Sequence, residues 1–318
     1  MERLALSVGG LLYSPASNTE IACHILNHDW PCLTAVSLCL EDSVQDNALL
    51  QAEEELKHTL ERLSNTTDRL PLLFVRVRTP EHLQHIHSKL GEAEKALTGY
   101  IFPKFDMSNA EAYLKALTTI NQEREGSPLY AMPILESKPI ASIFTRRDSL
   151  LHIRETIDAY KEQILNIRVG GNDFSNLYGL RRTASQTIYD LGVVRDALLD
   201  ILNVFADDYV VSGPVWEYYG NTSNDSWASG LRHELSLDRA NGFMGKTAIH
   251  PSQLPLIYDS MKVTRTDYED AKQILGWSDS VKAVSANSSG NRMNEVKCHS
   301  RWARRIQLLG DIYGIREE

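Results

Sequence analysis

Short apolar runs alternate along this chain with longer stretches whose apolar residues recur every three or four positions. The first pattern predicts buried strands and the second amphipathic helices. Eight runs fit a strand: Leu11 to Ala16, Thr34 to Leu40, Leu72 to Arg78, Gly99 to Phe105, Leu129 to Leu135, Asn166 to Asn172, Asp207 to Val211 and Phe243 to His250. They recur roughly every 30 residues, the spacing of a βα unit. Helix start signals lie between them. Thr79-Pro80 offers an N-cap followed by proline at the first helical position. Ser108 to Glu111 and Thr266 to Glu269 have the spacing of capping boxes. Eight strands alternating with helices predict an α/β fold, a (β/α)8 TIM barrel. A doubly wound open sheet is the second reading. It fits less well because polar residues are spread over many strand ends rather than gathered at one switch point.

Beyond the strands, the Ser/Asn-rich stretch Ser285 to Asn291 reads as a linker. Glu295 to Tyr313 then predicts a terminal helix, with Trp302, Ile306 and Leu309 at helical spacing. The expected organisation is a barrel over residues 1–280 and a linker with a C-terminal helical extension over 281–318.

Composition narrows the class of function. The 318 residues are 42% hydrophobic and 24% charged, an ordinary globular balance. A net charge of −9 with no long basic run argues against nucleic acid or an anionic membrane as partner. No run approaches the ~20 apolar residues of a membrane span. Met1 to Gly10 lacks the basic and apolar regions of a signal peptide. Cys23, Cys32, Cys39 and Cys298 show no C-x-x-C spacing, which predicts reduced thiols in a cytoplasmic protein.

Two acidic residues turn a plain barrel into a candidate enzyme. Glu136 closes the apolar run Leu129 to Leu135, and Asp173 closes Ile167 to Asn172. An ionised carboxylate at the end of a buried strand is costly without a partner. Two of them on successive strands predict a shared cation. Mg²⁺ (or Mn²⁺) suits such a site, because a hard ion takes one or two carboxylates and keeps positions for substrate oxygens.

In a TIM barrel the site lies at the C-terminal ends of the strands. Those ends carry Glu41 and Asp42 on strand two, Arg76 on strand three and Lys104 on strand four. Glu136, Asp173, and Lys246 with His250 follow on strands five, six and eight. A structural role is open for each. The two acids could pair with Arg168 or Lys138, and Arg76 could bridge to Glu41. Lys104 could sit on the rim, Lys246 could pair with an acid, and His250 could fix the turn after strand eight.

Taken together and in order, these segments resemble a known family. Leu40-Glu41-Asp42-Ser43-Val44, Val75-Arg76-Val77 and Phe102-Pro103-Lys104 are similar to the L-E-D-x-V, V-R-V-N and L-P-K segments of the citrate lyase β-subunit group in the HpcH/HpaI aldolase superfamily. Gly170-Gly171-Asn172-Asp173-Phe174 is similar to its metal segment. Gly242 to Gln253 resembles its G-F-x-G-K-x-x-I-H-P-x-Q, the most specific of the matches.

The resemblance implies a (β/α)8 barrel, a homo-oligomer such as a trimer or hexamer, and a divalent metal held by Glu136 and Asp173. It implies an Mg²⁺-dependent carbon–carbon bond lyase or aldolase. The substrate would be a 2-oxo or 2-hydroxy carboxylic acid, or its acyl-CoA thioester, and the reaction would pass through a metal-stabilised enolate. Arg76, Glu41, Asp42 and Lys104 are then the expected catalytic residues. Arg76, Lys246 and His250 are the expected substrate-binding residues. A fixed guanidinium can grip a carboxylate bidentately, and a nearby acid can orient it or move a proton. The family uses no Schiff base, so Lys104 would act electrostatically. The C-terminal segment would be a lid or a subunit-interface segment.

The chain also departs from that pattern. Tyr13 to Glu20 keeps a proline but lacks the glycine and the basic residues of the loop associated with CoA. Arg78 stands where the family has asparagine, and the stretch between Glu136 and Asp173 is longer than usual. Ser212 to Gly220, rich in aromatic residues, is unlike the core family and could be a specificity loop. These departures resemble a divergent branch, the C–C bond lyases of the TIM-barrel fold. Two alternatives stay open: a CoA-thioester lyase of the citryl-CoA or malyl-CoA type, and a non-catalytic barrel subunit of a biosynthetic complex.

Overall fold

The computed structural model describes residues 1–222, 225–277 and 283–317. They form two compact units, Met1–Ile257 and Tyr258–Glu318. The first unit holds eight strands: β1 (Gly10–Pro15), β2 (Ala35–Cys39), β3 (Leu72–Arg76), β4 (Gly99–Phe102), β5 (Tyr130–Leu135), β6 (Ile167–Val169), β7 (Val211–Ser212) and β8 (Lys246–Ala248). All are parallel and run β7-β6-β5-β4-β3-β2-β1-β8. A parallel bridge between Gly213 and Lys246 closes the ring, with the Gly213 N–H donating to the Gly245 carbonyl at 3.0 Å. Because β1 pairs with β8 and β8 meets β7, the sheet is a TIM barrel rather than an open doubly wound sheet.

Alternation along each strand sorts the side chains. Val36, Leu38 and Leu40, then Leu73, Val75 and Val77, then Ile167 and Val169 belong to the large core cluster between strands and helices. Successive residues of a strand point to opposite faces. Ser37 and Cys39, Phe74 and Arg76, and Arg168 therefore point into the barrel. Helices supply the other half of the outer layer: Ala52, Leu56, Leu60 and Leu63 of Leu49–Ser64, and Leu83, Ile86 and Leu90 of Pro80–Leu90, are fully or nearly fully buried. Each such aliphatic side chain adds roughly 1.5–3 kcal/mol. The Thr79 cap forms as its sequence predicts, its hydroxyl accepting from the His82 N–H at 3.1 Å.

Several expected boundaries shift for physical reasons. The expected strand seven began at Asp207, but Asp207 and Asp208 lie exposed in a turn, ion-paired to Arg154, and β7 starts at Val211. Adjacent carboxylates cannot enter a barrel wall that is covered on both faces. The expected strand six ran to Asn172, whereas the chain becomes helical at Gly171–Leu177. Ser108 does not cap the helix Ala110–Glu123: its N–H and hydroxyl both turn back to Asp106 Oδ1. The later cap sits at Thr264, whose hydroxyl accepts from the Asp267 N–H at 3.1 Å, two residues before Thr266.

In the second unit the helix Arg265–Gly276 packs on the helix Val296–Tyr313, which buries Ala303, Ile306, Leu309 and Tyr313. This unit therefore begins earlier in the chain than residue 281. The stretch Ser285 to Asn291, expected to be a linker, is a hairpin instead. Val284–Ala286 pairs antiparallel with Met293–Glu295, and the Asn287 side chain bonds both the Asn291 side chain and its N–H. Asparagine closes turns in this way. Residues 281 and 282, at the start of the expected linker, lie outside the described residues. Among the described residues no helix is long and apolar enough to cross a membrane. All four cysteines are free thiols.

Candidate active site

Four carboxylates and two cations meet at the C-terminal mouth of the barrel. Met132 and Ile134 of β5 are buried away from the outer core cluster, so period two carries Glu136 inward as well. Arg76, the last residue of β3, meets it there. Its Nη2 lies 2.7 Å from Glu41 Oε2, 3.2 Å from Asp42 Oδ2 and 3.3 Å from Glu136 Oε1. Lys104, two residues past β4, donates its backbone N–H to Glu136 Oε1 at 2.8 Å. Its Nζ lies 2.5 Å from Glu41 Oε1 and 3.4 Å from Asp42 Oδ1.

Asp173 reaches the cluster from the first turn of the helix Gly171–Leu177, not from a strand end. Gly170 lets it close on Glu136. A Cβ at Gly170 would stand 2.5 Å from Glu136 Oε2 and 3.0 Å from Asp173 Oδ2. One oxygen of each acid therefore converges over that glycine. Glu136 Oε1 is committed to Arg76 and Lys104, which leaves Oε2 to face Asp173.

The electrostatics follow from burial. Desolvation pushes the Glu136 carboxyl up to about 8, against the pull of Arg76, and the Asp173 charge adds to the rise. Burial also raises Glu41, opposed by Arg76. Burial acts the same way on Asp42, but its hydrogen bond with Glu41 and the charges of Arg76 and Lys104 outweigh it and hold Asp42 below its ordinary value. Burial would lower Lys104, yet Glu41 and Asp42 keep its ammonium above the usual range. Lys104 is thus a charged partner and not a free amine.

This donor set fits a hard divalent cation. Two carboxylate oxygens face each other, and their mutual repulsion is what a cation would remove. Among the described residues no group of three or more His, Cys, Asp or Glu side chains encloses an ion. An ion held by Glu136 and Asp173 alone would keep positions for water and substrate oxygens. The cavity beside them measures about 300 Å³ and is lined by Tyr13, Asp42, Arg76, Glu136, Arg168, Asp173 and Thr247, among others. That lies at the lower end of small-molecule sites.

Two residues expected at the site are not brought to the cavity. Lys246 opens β8 instead of closing it, and alternation turns its side chain outward. It is fully buried between Glu234 Oε1 at 2.8 Å and Asp238 Oδ2 at 2.7 Å, both on the helix Ser226–Asn241. A substrate does not reach it there. The next residue, Thr247, points inward and lines the cavity. His250 caps the short turn Pro251–Gln253, its Nδ1 bonded to Ser252 Oγ at 2.8 Å and to the Ser252 N–H at 3.2 Å. Its ring stacks on Tyr219 at 4.4 Å.

The departures from the family pattern acquire roles. Arg78 fastens the segment that carries Glu41 and Asp42: Nε donates to the Leu40 carbonyl at 2.7 Å, Nη2 to the Val44 carbonyl at 2.6 Å, and Nη1 lies 2.5 Å from Asp46. In the Ser212 to Gly220 loop, Trp216 is fully buried, donates to the Trp227 carbonyl and lies under the Arg182 guanidinium. Tyr13, in the sequence only a member of an unusual first loop, lines the cavity with Arg76 above its ring at 5.9 Å. Arg168 is, from the sequence, a candidate partner of Glu136 or Asp173. It pairs with neither and donates from Nη2 to Thr247 Oγ1 at 2.7 Å. The outward-facing Ile167 and Val169 on either side are the sequence signal that Arg168 points inward.

Comparison with known proteins gives the same picture. Residues 2–315 match the model of a family described as C–C bond lyase of the TIM-barrel fold. An L-malyl-CoA/β-methylmalyl-CoA lyase of Cereibacter sphaeroides is 24% identical over 261 residues, 78% of each chain. A citrate lyase structure from Burkholderia xenovorans superposes with a TM-score of 0.73 at 16% identity, covering 98% of this chain and 93% of that one. The protein CitE of Mycobacterium tuberculosis, solved in complex with magnesium, acetoacetate and coenzyme A, superposes with a TM-score of 0.60 at 18% identity, covering 96% and 98%. The solved structures share the barrel fold with this chain.

Proposed function

The chain belongs to the C–C bond lyases of the TIM-barrel fold, and from that premise we propose that it is an Mg²⁺-dependent lyase or aldolase for a small 2-oxo or 2-hydroxy acid. The observation that carries this reading is the convergence of Glu136 Oε2 and Asp173 Oδ2 over Gly170, with Arg76 beside them. The magnesium in the CitE complex supports the choice of ion. Bound between Glu136 and Asp173, Mg²⁺ would supply Lewis-acid polarisation and charge stabilisation for the acid and its neighbouring oxygen.

The remaining work falls to the chain's own residues. Arg76 is oriented by three carboxylates and presents a guanidinium to the substrate carboxylate or to the oxygen where charge develops. Glu41 and Asp42 are pushed in opposite directions, so Glu41 is the group to carry a proton and Asp42 the one to stay ionised. Lys104 holds both acids in place and adds positive charge at the mouth. Glu41, Asp42, Arg76 and Lys104 are the catalytic set in this reading. Lys246 and His250 stabilise the frame and do not contact the substrate.

The C. sphaeroides lyase and the coenzyme A in the CitE complex support a thioester as the second reading. Against it, Ser17, Asn18, Thr19 and Glu20 of the first loop present no basic side chain. We further propose a homo-oligomer in the cytoplasm, in keeping with four free thiols.

Calorimetric titration of Mg²⁺ and Mn²⁺ into the native protein and into Glu136→Ala tests the metal assignment, and equal binding by both proteins would sink it. A thermal-shift screen of CoA against free 2-oxo acids separates the two substrate readings. A true ligand at ~100-fold its Kd stabilises the fold by ~2.7 kcal/mol.

A further inference from the structure

Arg168 is the one buried arginine, among the described residues, whose charge no carboxylate answers. Four arginines are buried: Arg76, Arg146, Arg168 and Arg182. Arg76 faces Glu41 and Glu136, Arg146 faces Asp200 at 2.8 Å, and Arg182 faces Glu234 at 3.0 Å. Arg168 is 1% exposed, and its Nε and Nη1 have no hydrogen-bond partner. Its Nη2 donates to the neutral hydroxyl of Thr247 at 2.7 Å. The Tyr13 phenol is its other hydrogen-bonding neighbour, and it too is a neutral group rather than a carboxylate. A cation taken out of water without a counter-charge is costly and persists only where something supplies one.

The cavity that Arg168 lines is the one that holds Glu136, Asp173 and Arg76. Tyr13 is near both guanidiniums and feels both charges. Thr247 Oγ1 accepts from Arg168, so its own hydrogen stays available to donate. One small cavity thus holds both an acid pair with Arg76 and an unanswered cation with two hydroxyls.

We propose that Arg168, Thr247 and Tyr13 form an anion subsite that binds a second carboxylate of the substrate, which makes the substrate a short diacid in the free form. The inference rests on the lyase reading above for the placement of the first carboxylate near Arg76. A thioester at the far end would be neutral and would leave Arg168 uncompensated. A monoacid would do the same. The subsite therefore selects for charge at both ends of a short chain, and against the CoA ester of the same acid. Arg168 acts here as a specificity residue through direct contact with the substrate.

The test compares malate, a 2-hydroxy diacid, with lactate, the 2-hydroxy monoacid that lacks the second carboxylate. Binding of both is measured by calorimetry with Mg²⁺ present, in the native protein, in Arg168→Met and in Thr247→Val. Native protein is expected to prefer malate by tenfold or more. Arg168→Met is expected to lose that preference to within about threefold and to leave lactate and Mg²⁺ binding unchanged. The metal-free variant should also melt higher than native, because an unanswered buried charge is gone. Thr247→Val should lose part of the preference, and it serves as the readout if Arg168→Met does not fold.

A preference for malate that survives in both variants would overturn the proposal. So would equal stabilisation by malate and inorganic sulfate, or no stabilisation by malate at all. Failure of the lyase reading looks different. Mg²⁺ would then not bind to native protein, while the malate-over-lactate difference in melting temperature, and its loss in Arg168→Met, would remain without metal.

Discussion

Lys104 gives its backbone N–H to Glu136 Oε1 at 2.8 Å from a left-handed backbone, φ 48°. A lysine in that region of backbone space stores strain of order 1–3 kcal/mol. The strained turn aims the N–H at an acid that Arg76 also holds, so the main chain fixes Glu136 independently of the Lys104 side chain. Two variants separate the parts. Lys104→Ala and Lys104→Gly both lose the contact with Glu41, but only glycine relieves the strain. Lys104→Gly is expected to be more stable than Lys104→Ala by about 1 kcal/mol in urea unfolding. Both should bind Mg²⁺ within threefold of native, since the N–H is retained, and both should turn over more slowly. An alanine variant as stable as the glycine variant would refute the strain argument.

Gly170 is the position where the smallest change should do the most damage. An added methyl would lie 2.3 Å from Glu136 Cβ and 2.5 Å from its Oε2. Neither atom can yield freely, because Glu136 is held by Arg76 and Lys104. Gly170→Ala is expected to lower Mg²⁺ affinity at least tenfold, which is about 1.4 kcal/mol. It should also lower stability by about 1–3 kcal/mol through overpacking. Calorimetry and thermal melting check both. A variant that binds Mg²⁺ as well as native would show that the two acids do not share an ion.

The barrel was legible because short apolar runs and helix starts recur at βα spacing, and the Thr79 cap formed where the residues placed it. Strand ends were less legible. Asp207 and Asp208 sit in an exposed turn because Arg154 is there to receive them, a tertiary fact no local pattern carries. At the barrel mouth Arg76, Glu41, Asp42, Lys104 and Glu136 come together from the ends of their strands, and Asp173 joins them from the first turn of the helix after β6. Lys246 was misplaced because its motif said which segment it belongs to but not which face. The face was recoverable from alternation with Ala248, which packs into the outer cluster. The same counting on β6 would have turned Arg168 inward. Its lack of a carboxylate was not recoverable, since that depends on every element packed around it.

Glu136 makes metal binding pH-dependent in a definite direction. Its folded-state value of about 8 lies above the ordinary 4.5. In the metal-free protein burial thus shifts this carboxyl toward its protonated form. Its contribution to stability is fully present below 4.5 and is lost as pH rises through 8. Mg²⁺ needs the ionised form, so apparent affinity should rise with pH up to about 8 and then level off. At pH 7 binding should release about one proton, and at pH 9 almost none. Calorimetry in two buffers of different ionisation enthalpy counts those protons. Glu136→Gln should abolish the release. An affinity that is flat between pH 6 and 8 would contradict a Glu136 carboxyl raised by burial.

Lys246 offers the opposite test, of a residue that holds the frame without touching the substrate. Its ammonium is fully buried between Glu234 and Asp238, and Asp238 also accepts from the Tyr189 hydroxyl at 2.8 Å. Gly213 makes room for that carboxylate, since a Cβ there would lie 2.9 Å from Asp238 Oδ2. Burial already raises Asp238, opposed first by Lys246, so removing the lysine leaves two buried acids facing each other. Lys246→Met is expected to cost about 3–5 kcal/mol, the usual penalty for breaking a buried ion pair from one side. Adding Asp238→Asn to Lys246→Met removes one stranded charge while Glu234 stays paired with Arg182 at 3.0 Å, and it should recover part of that loss. In both backgrounds KM for the acid substrate should stay within twofold of native at a temperature where the protein is folded. A KM raised tenfold with stability unchanged would instead return Lys246 to the substrate.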